Sequence, residues 1–253
     1  MHQISQRGIK VFKEKFFYKF VKIFHKYAVK GALLPIWLIR IKNFKPSNLN
    51  ELVDFSFTVG KGLIKPAQVR EEILQLLMLL KKLNLNYILE IGTDKGGTLF
   101  LFSKIASKNA TIISVDLLGG EFRKGCPKWK VPLLTPLFKS FASSKQKICL
   151  IRANSHEKGT LEKVKSILGD RKLDFLFIDG DHTYEGVKKD FEMYSPLVKK
   201  GGVVALHDIV RHPSETGCEV SRFWDEIKFK YEYVEFVKSW DQNWAGIGLI
   251  KLK

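Results

Sequence analysis

Five short apolar runs recur through the middle of the chain: Tyr87–Ile91 (YILEI), Thr111–Asp116 (TIISVD), Lys147–Ile151 (KICLI), Leu173–Asp179 (LDFLFID) and Gly202–Leu206 (GVVAL). Helix-sized segments separate them. Continuous rather than alternating apolar runs mark strands buried on both faces, and their alternation with helices marks a parallel sheet. Two later runs, Tyr231–Val237 and Ala245–Leu252, are joined by a short loop and predict a terminal antiparallel hairpin. The pattern therefore predicts an α/β fold, a doubly wound and mostly parallel seven-stranded sheet. Helices are expected from near Ser47, over Pro66–Leu83 with Pro in the first turn and lysines in the last, over Thr98–Ala106, and over Tyr184–Val198.

Ahead of the sheet the texture differs. From Ile9 to Lys30, helical spacing puts Phe12, Phe16, Phe20, Ile23 and Tyr27 on one side and Lys15, Lys19, Lys22 and Lys26 on another. This predicts a basic amphipathic helical extension over residues 1–60, with the main domain over 61–253. Gly31–Ile39 is uncharged but far short of the ~20 residues a spanning helix needs, and Pro35 interrupts it. Lysines among the apolar positions also disfavour a secretory signal. Two readings of the extension stand side by side. Residues 9–40 can anchor the protein on an anionic membrane surface, or the aromatic side can pack on the domain or on a second subunit as a homo-oligomer. Nucleic acid ranks below both, because no reader motif accompanies the helix.

Charge sharpens this picture. The 253-residue chain carries 43 Lys and Arg against 26 Asp and Glu, a formal +17. Eleven of those cations and a single acid, Glu14, fall within Met1–Asn50. Cys126, Cys149 and Cys218 are widely separated with no CxxC spacing, which excludes a disulfide framework and a zinc knuckle. A cytoplasmic location is expected, peripheral on the inner face of the membrane if the extension anchors there.

Candidate chemistry sits at the carboxyl ends of the strands, the edge where open α/β sheets bind ligands. The first strand leads into EIGTDKGGT, where Glu90, Gly92, Gly96 and Gly97 frame a turn opening a helix. It is neither a phosphate loop nor a GxGxxG dinucleotide site, since Asp94 holds the middle position. A carboxylate at Glu90 repels pyrophosphate and favours a cationic ligand. Asp116 ends the second strand, placed to accept from ribose hydroxyls, and Arg152, Ala153, Asn154, Ser155 and His156 end the third. These groups outline a nucleoside with a positive amino-acid tail. Asp179, Asp181 and His182 close the fourth strand and His207 with Asp208 the fifth, a seat for a divalent metal and a general base.

With IDGDHTYEGVKKDFEMYSPLVKKGGVVALHD as its most specific stretch, the chain resembles class I S-adenosylmethionine-dependent methyltransferases from about Ile64 to Leu252. Within them it is similar to metal-dependent O-methyltransferases and cephalosporin-hydroxylase-like relatives. The resemblance implies a Rossmann-like methyltransferase sheet with S-adenosyl-L-methionine as cofactor. It implies Glu90, Gly92, Thr93 and Gly96 on the methionine portion, Asp116 on the ribose, Asn154 and Ser155 near the adenine, and Asp179 against the cofactor. It further implies Asp179, His207 and Asp208 as ligands of a divalent metal, Mg²⁺ or Mn²⁺ among the choices, and His182 as the catalytic base. Imidazole at His207 suits transition ions better than Mg²⁺.

Each residue also has a structural reading. Asp179, Gly180 and Asp181 can be turn formers capping the helix from Tyr184, and His207 can satisfy Asp208. Leu117–Gln146, with Trp129, Phe138 and Phe141 among Arg123, Lys124, Lys128 and Lys130, reads as a lid over an acceptor, or as a surface helix over Thr135–Ser144 packing its phenylalanines inward. Trp240 and Trp244 belong to the core or wall the same pocket. The expected function is metal-assisted O-methylation of a hydroxyl on a sugar, glycan or other polyhydroxylated small molecule. Alternatives are a membrane-surface binding protein on a methyltransferase-like scaffold, and a cephalosporin-hydroxylase-like metal enzyme.

Overall fold

A computed structural model describes residues 33–117, 130–143 and 145–253. The expected amphipathic helix from Ile9 to Lys30, and Arg123, Lys124, Cys126, Lys128 and Trp129 of the expected lid, lie outside the described residues. The chain divides into two units, Met1–Asn43 and Phe44–Lys253. In the first, helix α1 (Leu34–Asn43) carries Pro35 as its second residue, where a missing N–H costs no helical hydrogen bond. No helix among the described residues is long and apolar enough to cross a membrane.

The larger unit starts earlier than the expected boundary at residue 61. Its first helix, α2 (Leu49–Thr58), is capped by the Asn48 side chain, and its Phe55 stacks on Phe44 and tilts against Phe100. Helix α3 spans Arg70–Leu80, shorter than the expected Pro66–Leu83. Pro66 does not begin it; residues 65–69 run ahead of the helix, with Pro66 and the Ile64 carbonyl packed where a side chain on Gly97 would stand.

Seven strands form one sheet in the order β3-β2-β1-β4-β5-β7-β6. They are β1 (Tyr87–Ile91), β2 (Thr111–Asp116), β3 (Lys147–Arg152), β4 (Leu173–Ile178), β5 (Val198–His207), β6 (Glu232–Phe236) and β7 (Ile247–Lys251). The pairs among β1 to β5 are parallel, and β7 runs antiparallel to both β5 and β6. The expected doubly wound sheet and terminal antiparallel pair are both present.

Among the described residues the unit also has helices α4 (Gly97–Ile105), α5 (Lys130–Lys139), α6 (Lys158–Leu168), α7 (Tyr184–Tyr194) and α8 (Val220–Ile227). Every residue of β4 is buried, and its side chains alternate between two cores. Phe175 and Phe177 meet the edge of Phe102 in α4, while Leu176 and Ile178 join Val164, Val187, Phe191 and Trp224 from α6, α7 and α8. The lid region is in part the inward-packing helix: Leu137, Phe138 and Phe141 at the end of α5 are buried.

Candidate active site

Two halves meet at the strand tips. In the first, β1 delivers Glu90 to a wholly buried position, where Oε1 accepts from the Thr98 hydroxyl and Oε2 has no hydrogen-bond partner. Burial pushes the Glu90 carboxyl up to about 8, with Asp116 and Asp179 adding to the rise and the Thr98 and Thr93 hydroxyls opposing it. Asp116 Oδ2 accepts from the backbone N–H groups of Thr93 (3.2 Å) and Asp94 (3.1 Å), so this carboxylate also pins the glycine turn. Burial raises Asp116, and Arg152, its register partner on β3, draws it back down. The Arg152 guanidinium lies 5.3 Å from the Phe138 ring centre, and its buried Nη2 has no partner.

The glycines of the turn do different work from one another. Gly92, at φ 88°, packs so tightly that a Cβ there would fall 1.9 Å from the carbonyl oxygen of Asp179. Gly96, at φ 81°, donates its N–H to the Thr93 carbonyl, and a Cβ on it would strike the Phe138 ring at 2.4 Å. Close approach of β1 to β4 thus requires Gly92, whereas Gly96 makes room for an aromatic side chain.

The second half is a knot of carboxylates and imidazoles. Asp179 Oδ1 lies 3.0 Å from His207 Nδ1, and its Oδ2 accepts from the Gln68 carboxamide at 2.7 Å. Asp208 adopts a left-handed backbone, φ 64°, unusual for a residue with a side chain. Its Oδ1 accepts from the Ala245 N–H and lies 3.1 Å from His212 Nε2 and 3.3 Å from His207 Nδ1; its Oδ2 is 2.6 Å from His182 Nδ1. Burial resists charge here, yet Asp208 is held well below the usual carboxylate range by His207 and by hydrogen bonds from His182, His207 and His212. Burial likewise opposes protonation of His182 and His207, but the carboxylates win. His182 is pushed up to about 10 by Asp208, Cys218 and Asp179, and His207 rises well above its ordinary value through Asp208 and Asp179.

One donor atom each from Asp179, His207 and Asp208 falls within 4.8 Å of the others, and His182, Asp208 and Cys218 form a second such group. Oxygen and nitrogen ligands sharing one small divalent ion at ~2.1 Å lie about 3 Å apart, so the 3.0 and 3.3 Å separations around His207 Nδ1 fit a common ion. Nε2 of the same ring is buried without a partner.

Residues 89–209, which carry Glu90, Asp116, Asp179, His182, His207 and Asp208, match a family described as a methyltransferase domain. An uncharacterized protein of Acanthamoeba polyphaga mimivirus is 30% identical over 128 residues, 51% of this chain and 53% of that protein, so the chain spans about half the length of that relative. Among solved structures, the O-methyltransferase from Bacillus cereus in complex with SAH aligns with a TM-score of 0.53 at 18% identity, covering 83% of this chain and 93% of that one. The TDP-rhamnose 3′-O-methyltransferase of calicheamicin biosynthesis aligns with a TM-score of 0.53 at 16% identity, covering 85% and 91%. The fold is therefore the Rossmann-like one that these O-methyltransferase structures share.

Around this site the remaining expected residues separate. Glu90, Thr93, Asp116, Asp179, His182, His207 and Asp208 converge at the tips of β1, β2, β4 and β5. Asp181 turns away: its Oδ1 accepts from the backbone and hydroxyl of Thr183, and its carboxyl fills the space a side chain on Gly186 would need. It is a turn former that holds Thr183, whose hydroxyl caps α7. Asn154 is exposed and accepts from the His156 N–H, and the Ser155 carbonyl accepts from the Tyr194 hydroxyl at 2.7 Å. His156 pairs with the buried Asp190 at 3.3 Å, an anchor between β3 and α7. Trp240 and Trp244 are 56% and 45% exposed, which removes them from the core.

Sequence reasoning missed Gln68, His212 and Cys218. His212, four residues after Asp208, carries a local signal. Gln68 and Cys218 reach the site from segments distant in sequence and carry none.

Proposed function

We propose that this methyltransferase domain moves a methyl group from S-adenosyl-L-methionine to a hydroxyl of a sugar or other polyhydroxylated small molecule, with a divalent cation assisting. One observation carries the reading: the contact of Gly92 with the Asp179 carbonyl sets a carboxyl-rich, partly unsatisfied glycine turn directly against the carboxylate–imidazole knot. A sulfonium donor with an ammonium tail suits the first, and a deprotonating hydroxyl suits the second. The sugar O-methyltransferase among the fold's neighbours supports the acceptor class.

In this mechanism Glu90 takes the amino-acid tail of the donor and Asp116, already fixed by Thr93 and Asp94, takes the ribose. Asp179, His207 and Asp208 would hold the cation. Bound there, a divalent ion supplies positive charge for the developing alkoxide and offsets the two carboxylates. His182 is the proton acceptor, and it can act only as neutral imidazole. Asp208 and Asp179 are what hold its proton, so their neutralisation is the condition for its work. Transfer is in line: the acceptor oxygen bonds the methyl carbon, the carbon–sulfur bond breaks, and the hydroxyl proton passes to His182.

Calorimetry with S-adenosylhomocysteine (SAH) tests the donor site, using the native chain, Glu90→Ala and Asp116→Ala. Heat of binding in the native chain that is lost in both variants is expected, and a native chain that binds nothing rejects the reading. Turnover that survives EDTA unchanged rejects the cation's part alone.

A further inference from the structure

The segment ahead of α8 brings a thiol into the knot, one that the Asp179–His207–Asp208 seat does not use. Gly217, at φ 70°, turns the chain there, and the Thr216 hydroxyl accepts from the Cys218 N–H at 3.2 Å. The N–H of the next residue, Glu219, donates to the His182 carbonyl at 2.8 Å. Backbone contacts thus fix Cys218 beside His182, and its thiol hydrogen-bonds that imidazole. One donor atom each from His182, Asp208 and Cys218 lies within 4.8 Å of the other two.

Asp208 divides its oxygens between two imidazoles. Oδ1 faces His207 Nδ1 at 3.3 Å, in the group completed by Asp179, whereas Oδ2 faces His182 Nδ1 at 2.6 Å, in the group completed by Cys218. A carboxylate used in this way can serve two ions, one per oxygen. The two ligand sets also differ in kind: oxygens with one nitrogen accept hard and intermediate ions, while sulfur with nitrogen and oxygen selects Zn²⁺ and ions like it. Three protein ligands are the complement of a zinc site with an open fourth position. In place of the proton now between His182 and Asp208, an ion ~2.1 Å from each would widen their 2.6 Å separation to about 3 Å. Both His182 and Cys218 are partly exposed, so an ion has a way in.

We propose that His182, Asp208 and Cys218 form a second metal site, for a thiophilic divalent ion of the zinc class, which shares Asp208 with the first seat and shuts off the proton acceptor. An ion on Nδ1 leaves the ring hydrogen on Nε2, so the imidazole has no lone pair for a substrate's proton. Only the shut-off rests on the role of His182 proposed above; the binding does not.

The test is absorption spectroscopy of the reduced full chain with Co²⁺, whose thiolate complexes absorb by charge transfer in the near ultraviolet. The native chain should show this band, and added Zn²⁺ should remove it by displacement. Cys218→Ser should lack the band and bind Zn²⁺ at least about tenfold more weakly in calorimetry. Asp179→Asn, which alters the first seat alone, should keep the band. A native chain without the band, a band that survives Cys218→Ser, or one lost in Asp179→Asn overturns the second site. Alkylation of Cys218 in the native chain, followed by peptide mass spectrometry, covers a variant that does not fold. Zn²⁺ should slow it at least about tenfold and Mg²⁺ should leave it unchanged, and equal rates with both ions overturn the proposal. The ¹⁵N spectrum of His182 reads the shut-off: Zn²⁺ should move its Nδ1 resonance, and a ring that keeps its ion-free shifts overturns that part without touching the methyl-transfer reading.

Discussion

Glu90→Gln isolates the least comfortable charge in the domain. In the folded chain the carboxyl holds its proton up to about 8, whereas in the unfolded chain it releases it near the ordinary 4.5. Between those limits the folded state binds the extra proton, so this group's contribution to stability is intact below 4.5 and is lost as pH rises toward about 8. Each pH unit inside the window costs about 1.4 kcal/mol, so the native chain should lose about 2 kcal/mol relative to Glu90→Gln between about pH 6 and about pH 8. Glutamine keeps the Thr98 contact and cannot ionise. His182 titrates in an overlapping range but does so in both proteins, so the difference between them reports Glu90 alone. Urea denaturation of the ligand-free proteins at several pH values measures it. A native-minus-variant difference that stays flat over the window refutes the burial argument. The same proton governs binding: a cationic tail selects the ionised carboxylate, so SAH affinity should climb by up to about tenfold per pH unit below about 8 in the native chain. Glu90→Gln should show no such climb.

Gly92→Ala places a methyl group 1.9 Å from the Asp179 carbonyl at φ 88°, and should cost roughly 3 kcal/mol or more in urea denaturation while weakening SAH binding. Glu72, wholly buried, accepts from Lys238 N–H, the Gln242 carboxamide and Gly246 N–H. Glu72→Ala strands three donors and should destabilise the fold by at least about 3 kcal/mol, read by the same denaturation. Asp208→Asn should leave SAH affinity within about threefold and reduce Mn²⁺ affinity at least about tenfold, since it removes a charged ligand. Electron paramagnetic resonance of added Mn²⁺ reads this directly, and unchanged Mn²⁺ uptake in the variant argues against the Asp179–His207–Asp208 seat.

The sheet was legible because its central strands are apolar without interruption. LDFLFI has no polar face to confuse its reading, and the register that follows from parallel pairing brings Glu90, Asp116, Asp179 and Asp208 to one edge. What failed did so for tertiary reasons. Pro66 looks like a helix start, but the approach of Gly97 keeps its segment ahead of the helix. The sequence also gives no sign that the bare Cα of Gly96 accommodates Phe138, whose ring arrives from a helix about forty residues on. Asp179 and Asp181 have the same residue type and opposite fates: the first faces the knot, the second accepts from Thr183 in its own turn. Gln68 and Cys218 carry no local pattern, since only the folded chain brings them near Asp179 and His182.

Strand β7 follows β6 in sequence yet stands between β6 and β5 in space. A nascent chain that has emerged only as far as α8 therefore has β5 as an open border, with Val203–His207 offering unpaired amides to any passing strand. Asp208 at that moment also lacks the Ala245 donor that β7's approach delivers. Closure of the sticky border thus also completes the hydrogen bonding of Asp208, so a ribosome stalled before β7 releases a product that lacks this donor and is prone to self-association.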